Sequence, residues 1–289
     1  MNRLALGTVQ FGLNYGVANR DGQVTRPVAK SMLGLARENG VDTLDTAIAY
    51  GDSEACLGEV GTEGFKVVSK LPGVPGSCAD IQGWVREQVD LSLARLGLKT
   101  LHGVLLHRPE QLLSTEGTEL FRALLGLKDA GLVKKIGISI YEPGQLKVLT
   151  EKFDFDLVQA PLNLVDRRLQ TTGWLQALKD KDIEVHTRSA FLQGLLLMKQ
   201  GDVPERFSQW SDVWLAWHQW LLAHGISAVR ACLAYPLSLP GVDRLVVGAD
   251  SVNQLQQILR EAQCECPADW PDVQREDEDL INPARWASV

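Results

Sequence analysis

Four residues in the first half of the chain could carry out proton chemistry: Asp45, Tyr50, Lys70 and His107. Each ends or follows a short apolar, β-rich run. Asp45 closes VDTLD (41–45), after which Tyr50-Gly51-Asp52-Ser53 reads as a turn, with Asp52 or Ser53 able to cap a following helix. Lys70 closes KVVSK (66–70), and His107 follows GVLL (103–106), with Pro109 stopping the run. A tyrosine hydroxyl with its ordinary pKa near 10 donates poorly at neutral pH. A nearby ammonium would stabilise the phenolate and lower that pKa. The ammonium must itself stay charged in a shielded site, which pairing with a carboxylate secures. On this reading Asp45 serves Lys70, Lys70 serves Tyr50, and His107 is free to hydrogen-bond a carbonyl oxygen. Taken singly, each has an ordinary explanation: a turn cap, a loop charge, a structural histidine. A shared location is what would make them a site.

The elements that would bring them together follow from an alternation of patterns. Candidate strands fall at 3–6, 42–45, 66–69, 103–106, 135–138, 157–159, 184–186 and 244–247. Helical periodicity lies between them at 28–38, 81–96, 120–127, 144–150, 169–178 and 252–261, and Gly131 has the position of a helix C-terminal glycine. Eight strands alternating with helices predict the α/β class and a closed parallel (β/α)8 TIM barrel, and 289 residues suit one such domain. Catalytic residues of barrels cluster where strands end, so all four residues above would share one mouth. A doubly wound open sheet is the competing architecture. It would normally carry an early GxGxxG turn, and Gly7 to Gly12 has the wrong spacing. The domain is expected to run over 1–289, with a tail at 264–289 packing on the barrel through Trp286. Trp210, Trp214, Trp217 and Leu221 repeat at helical spacing and are expected to form a buried helix face rather than a stacking platform.

A net charge of -7 argues against nucleic acid or an anionic membrane as the main partner. No apolar run approaches the roughly 20 residues of a membrane span, and the N-terminus shows no secretory pattern. The five cysteines are scattered, and Cys264-Glu265-Cys266 is too tightly spaced for the usual zinc pattern, so no metal site is expected. They read as reduced thiols of a cytoplasmic protein.

With these residues in view, the sequence resembles the aldo-keto reductase superfamily. The matching motifs are DTAIAYGDSE (45–54), VVSK (67–70), LLHRP (105–109), GLVKKIGIS (131–139), QAPLN (159–163), SAFLQGLL (189–196), GADSVNQL (248–255) and INPARW (281–286). They cover almost the whole chain in the family's order. The resemblance implies a catalytic tetrad of Asp45, Tyr50, Lys70 and His107, with Tyr50 as general acid. A nicotinamide cofactor would provide hydride to an aldehyde or ketone, a small molecule with sugar derivatives among the candidates. It also implies that Gly7 and Thr8 lie beside the nicotinamide and that Ser139 and Gln159 bond its carboxamide. Ser189, Leu192 and Gly194 would wrap the pyrophosphate through backbone N–H groups, and Gly248, Asp250, Gln254 and Gln257 would surround the adenosine. Three positions depart from the family pattern. Ile140 stands where many members have Asn or Arg. Arg188 replaces the aromatic that stacks on the nicotinamide; as a cofactor-binding residue its guanidinium can stack on that flat ring, and it adds a charge able to recruit an anionic substrate. The basic residues that usually grip a 2′-phosphate are missing, with Asp250 in their place, so NADP(H) is expected with NAD(H) or dual use open; Arg244 and Arg260 are the candidates to compensate. A cofactor-binding regulatory subunit of the same fold, like the potassium-channel beta subunits, is the alternative. A barrel lyase or isomerase on phosphorylated sugars is a third reading.

Overall fold

The computed structural model describes residues 2–17, 19 and 22–286. Eight strands form its centre: β1 (Leu4–Gly7), β2 (Thr43–Asp45), β3 (Lys66–Leu71), β4 (Leu101–Leu106), β5 (Val133–Ser139), β6 (Leu157–Pro161), β7 (Glu184–Arg188) and β8 (Arg244–Val247). All pairings are parallel, and β1 bonds both β2 and β8, so the sheet closes into a barrel in sequence order. Helices α1 (Arg26–Glu38), α2 (Ser53–Val60), α3 (Ile81–Leu96), α4 (Gly117–Asp129) and α5 (Gln145–Lys152) occupy the connections from β1 to β6. They are followed by α6 (Arg168–Thr171), α7 (Trp174–Asp180), α8 (Ser211–His224), α9 (Ala228–Ser238), α10 (Val252–Glu261) and the short α11 (Glu278–Ile281). Among the described residues, no helix is long and apolar enough to cross a membrane.

Strands buried on both faces need nearly unbroken apolar runs, which β4 and β6 supply. Each helix buries one stripe; α10 packs inward through Leu255, Ile258 and Leu259. The expected helix over 169–178 is in fact two helices. Gly173 sits in the left-handed region (φ 80°), and the Thr171 and Thr172 hydroxyls bond back to the Arg167 and Arg168 carbonyls, ending α6 before α7 begins. The tryptophan repeat lies on and just before α8, with Trp210, Trp214 and Trp217 buried, and the Trp217 indole donates to the Leu196 carbonyl. Trp286 is buried against the Phe207 ring, its Nε1 donating to the Leu280 carbonyl.

A small cluster of Val68, Leu105 and Leu157, separate from the main core, fills the barrel interior. Side chains two residues apart on a strand share a face. Lys70, His107 and Gln159 each stand two positions beyond one of these three, so the plug seats them at the carboxyl end of the barrel.

One buried charge fixes the outer layer near this mouth. Glu54 of α2 is 1% exposed and accepts from Ser69 Oγ of β3 (2.7 Å) and Ser92 Oγ of α3 (2.6 Å). Arg95 Nε donates to its other oxygen at 2.8 Å. Cutting Glu54 to Ala would strand the Arg95 guanidinium and two hydroxyls, a change worth about 3 kcal/mol. Urea unfolding of Glu54→Ala should show a clearly lowered midpoint; an unchanged midpoint would mean the cluster contributes nothing to stability.

Candidate active site

Lys70 is 1% exposed, and an ammonium so placed needs compensation. Its Nζ donates to Asp45 Oδ1 at 2.7 Å and to the Thr46 carbonyl at 2.9 Å. Gln159 Nε2 reaches across the barrel from β6 to donate to Asp45 Oδ2 at 2.7 Å. The carboxylate is thus held by two donors on different strands. Burial pulls the Lys70 ammonium downward in pKa, and Asp45 opposes that pull.

Tyr50 lies above this pair, with Lys70 Nζ 5.1 Å from its ring centroid. Its turn is tightly anchored. Tyr50 N donates to the Ala47 carbonyl, and Ile48 N to the Lys70 carbonyl. Of the two candidate caps, Asp52 takes the N-cap position of α2 without a side-chain bond, and Ser53 donates its hydroxyl to the Thr8 carbonyl (2.8 Å) and sits 3.0 Å from the Thr46 hydroxyl. The chain after β1 crosses so closely that a Cβ on Gly12 would lie 1.8 Å from the Tyr50 carbonyl. His107 meets the Tyr50 ring edge-on, centroids 5.9 Å apart.

The tyrosine does not titrate as the sequence suggests. Burial, then the Asp45 carboxylate, push the Tyr50 phenol above its usual range, against a downward pull from Arg188. Tyr50 is therefore a neutral phenol at physiological pH, not a lowered one. Burial, with the positive charges of Lys70 and Arg188, pushes His107 down to about 4, so its ring is neutral there too.

These residues open into a cavity of about 470 Å³. It is lined by Asp45, Tyr50 and His107, and by Gly7, Thr8, Ser139, Gln159, Arg188, Ser189, Gly194, Gly248, Asp250, Gln254 and Gln257, so one space gathers nearly every expected site residue. Two are not on its wall. Lys70 sits beneath Tyr50, and Leu192 is fully buried in the core, leaving it only a backbone role. Ile140 is likewise a core side chain, but its carbonyl accepts from Arg188 Nη2 at 2.9 Å. Arg188 packs over the Tyr141 ring, 4.4 Å from its centroid. Neither Arg244 nor Arg260 serves the 248–257 segment: Arg244 bonds Asp42 and Thr43, and Arg260 faces Glu261 on the surface. Gln254 is engaged locally, its Oε1 accepting from Asp250 N at 2.7 Å.

Sequence reasoning did not pick out Gln10, Tyr15, Asn19, Tyr141 or Gln193 as site residues, all of which line the cavity from loops. Gln193 Nε2 donates to Tyr15 Oη, and Asn19 Nδ2 to Asp250 Oδ1, so the loop after β1 straps across the loops after β7 and β8. Their patterns carry no periodicity that would have marked them.

A nicotinamide dinucleotide fits these residues. Among the described residues Gln159 Oε1 on the cavity wall is buried and without a partner, an acceptor suited to a carboxamide N–H. Ser189, Leu192, Gln193 and Gly194 all have positive φ, which turns successive backbone N–H groups into the kind of concavity that holds phosphate.

A closed parallel barrel with an acid, a phenol, an imidazole and a buried ammonium at its carboxyl-end cavity defines a barrel with an enzyme-like, proton-handling site. Comparison makes the class particular: residues 3–271 match the model of the Aldo/keto reductase family, and the chain belongs to that family. The family consists of NAD(P)H-dependent oxidoreductases that reduce carbonyl compounds. Among curated proteins, the uncharacterized oxidoreductase YqkF of Bacillus subtilis (strain 168) is 27% identical over 258 residues, 81% of this chain and 82% of that protein. The aldo-keto reductase YhdN of the same organism is 24% identical over 89% of this chain and 84% of its own. A solved structure from Pseudomonas aeruginosa, described as an aldo-keto reductase candidate, superimposes with a TM-score of 0.66 at 26% identity, covering 90% of this chain and 89% of that one.

The lowered His107 sets a pH dependence. Between its unfolded value near 6.5 and about 4 in the folded protein, the unfolded chain binds a proton that the folded one does not. Stability from this group is therefore present above pH 6.5 and is lost as pH falls toward 4. NMR titration of the His107 ring should give a midpoint near 4, and His107→Gln should flatten the fall in unfolding free energy over that window; a midpoint near 6.5 would contradict the assigned environment.

Proposed function

We propose that the chain reduces an aldehyde or ketone, with sugar-derived carbonyls among the candidates, to an alcohol, with Tyr50 as general acid and a neutral His107 orienting the carbonyl oxygen. The observation that carries this reading is the buried Asp45–Lys70 pair directly beneath a tyrosine that opens into the cavity. A bound nicotinamide supplies the hydride. Tyr50, protonated at rest, gives its phenolic proton to the carbonyl oxygen as negative charge builds there. Lys70, kept charged by Asp45, stabilises the phenolate left behind. Gly7 and Thr8 flank the nicotinamide, Ser139 and Gln159 take its carboxamide, the 189–194 backbone takes the pyrophosphate, and Gly248, Asp250, Gln254 and Gln257 take the adenosine.

Replacing Tyr50 with Phe should lower kcat by at least about a hundredfold and leave cofactor affinity, read from tryptophan fluorescence quenching, nearly unchanged. A variant retaining most of its turnover would remove Tyr50 from the donor role.

Cofactor choice follows from the adenosine end. The described lining residues there include Asp250 and the neutral Gln254 and Gln257, with no cation. A carboxylate accepts a ribose 2′-hydroxyl and repels a 2′-phosphate. We read the site as one that takes NADP(H) without a dedicated grip and admits NAD(H). The double change Asp250→Ser with Gln254→Arg should move the NADPH-to-NADH ratio of kcat/KM toward NADPH by roughly tenfold or more, the worth of one charged hydrogen bond. An unmoved ratio would refute this account of the pocket.

A further inference from the structure

Arg188 ends β7 with its guanidinium half-buried, and among the described residues no carboxylate lies within ion-pair distance of it. That is unusual for a charge withdrawn from water. The neighbouring basic residue on the β6 side, Arg168, is paired with Asp166, and Lys70 is paired with Asp45. Arg188 is instead held by neutral groups. Nη2 donates to the Ile140 carbonyl (2.9 Å), Nη1 to Ser189 Oγ (3.1 Å), and one face lies on the Tyr141 ring. A guanidinium has five N–H donors, so these two bonds leave three for the cavity it lines. Among the described residues it is also the one cation on the cavity wall. Its charge is felt by Tyr50 and His107, which places it at the carbonyl end and not at the adenosine end.

We propose that Arg188, fixed by Tyr141 and the Ile140 carbonyl, is the specificity-determining residue of this site and that the carbonyl substrate carries a carboxylate. The inference rests on the reductase reading above. A rigid planar fork, already oriented, matches one carboxylate bidentately and loses little entropy in doing so. A substrate carboxylate also supplies the counter-charge that the described residues do not.

The test uses the cofactor-loaded protein and two matched pairs, 4-carboxybenzaldehyde against methyl 4-formylbenzoate and succinic semialdehyde against butanal. In at least one pair, the carboxylate member should be preferred in kcat/KM by about tenfold or more, expressed in KM and not in kcat. Arg188→Met should abolish the preference, and Arg188→Lys, which keeps the charge without the fork, should retain part of it. Benzoate, unreactive, should bind the loaded wild-type protein and bind Arg188→Met at least about tenfold more weakly. The proposal is overturned by equal use of both members of each pair, by a preference that survives Arg188→Met, or by failure of benzoate to bind the wild type. Loss of cofactor affinity in Arg188→Met with the preference intact would assign the residue to the cofactor and overturn it as well. If no carbonyl is turned over while benzoate binds through Arg188, the anion site stands and the reductase reading fails.

Discussion

The arrangement depends on one costly act, the burial of the Lys70 ammonium inside the barrel mouth. A lone ammonium there would lose its charge or destabilise the fold, so the chain must supply a carboxylate and hold it at fixed distance. Asp45 from β2 does so, and Gln159 from β6 fixes the second carboxylate oxygen. These contacts tie three strands across the barrel, and they require the register that pairs Asp45 with Val68 and Lys70 with Leu105. A one-residue slip of β3 would turn Lys70 toward the helices and place Ser69 in the mouth. The closed barrel and the ion pair therefore specify each other.

The same logic explains the layer below. Val68, Leu105 and Leu157 shut the interior to water, and each is followed two positions later by Lys70, His107 or Gln159. An apolar floor raises the strength of every electrostatic interaction above it. It also makes the opposite shifts of Tyr50 and His107 outcomes of one cause: burial favours the neutral form of both, moving a phenol up and an imidazole down. Two neutral hydrogen-bonding groups stand over one neutralised ion pair.

That period-two logic is what made the centre of the molecule readable. Alternation of short apolar runs with amphipathic stretches marked all eight strands, and polar residues at the strand ends marked Asp45, Lys70 and His107. Three kinds of feature were not readable. The direction of the Tyr50 shift depends on burial and Asp45 outweighing the pull of Arg188, a balance that spacing does not carry. The helix expected at 169–178 fails because a left-handed glycine and two threonine side-chain bonds outweigh an apolar periodicity that runs through both halves. Loop residues are the third gap. Gln10, Tyr15, Asn19, Tyr141 and Gln193 reach the cavity through turns whose geometry follows from contacts such as Gly12 against the Tyr50 carbonyl, distant in sequence from most of the loops they shape.

Charge placement across the mouth is the last constraint that the fold imposes. Asp45 and Lys70 oppose each other below Tyr50, and Arg188 adds a third charge that both Tyr50 and His107 feel. The partners of Arg188 are a carbonyl, a hydroxyl and an aromatic ring. None of these removes its charge. Ile140 matters here in an unexpected way: its apolar side chain anchors the loop in the core, which fixes the carbonyl that holds the guanidinium in place. The two departures at 140 and 188 therefore act together, one as the support and the other as the charge. At the far end the described lining residues include Asp250, which accepts from Asn19, and the amides of Gln254 and Gln257. Among the described residues the cavity therefore presents its cation beside the phenol and hydrogen-bonding groups at 248–257, and any occupant must match that order.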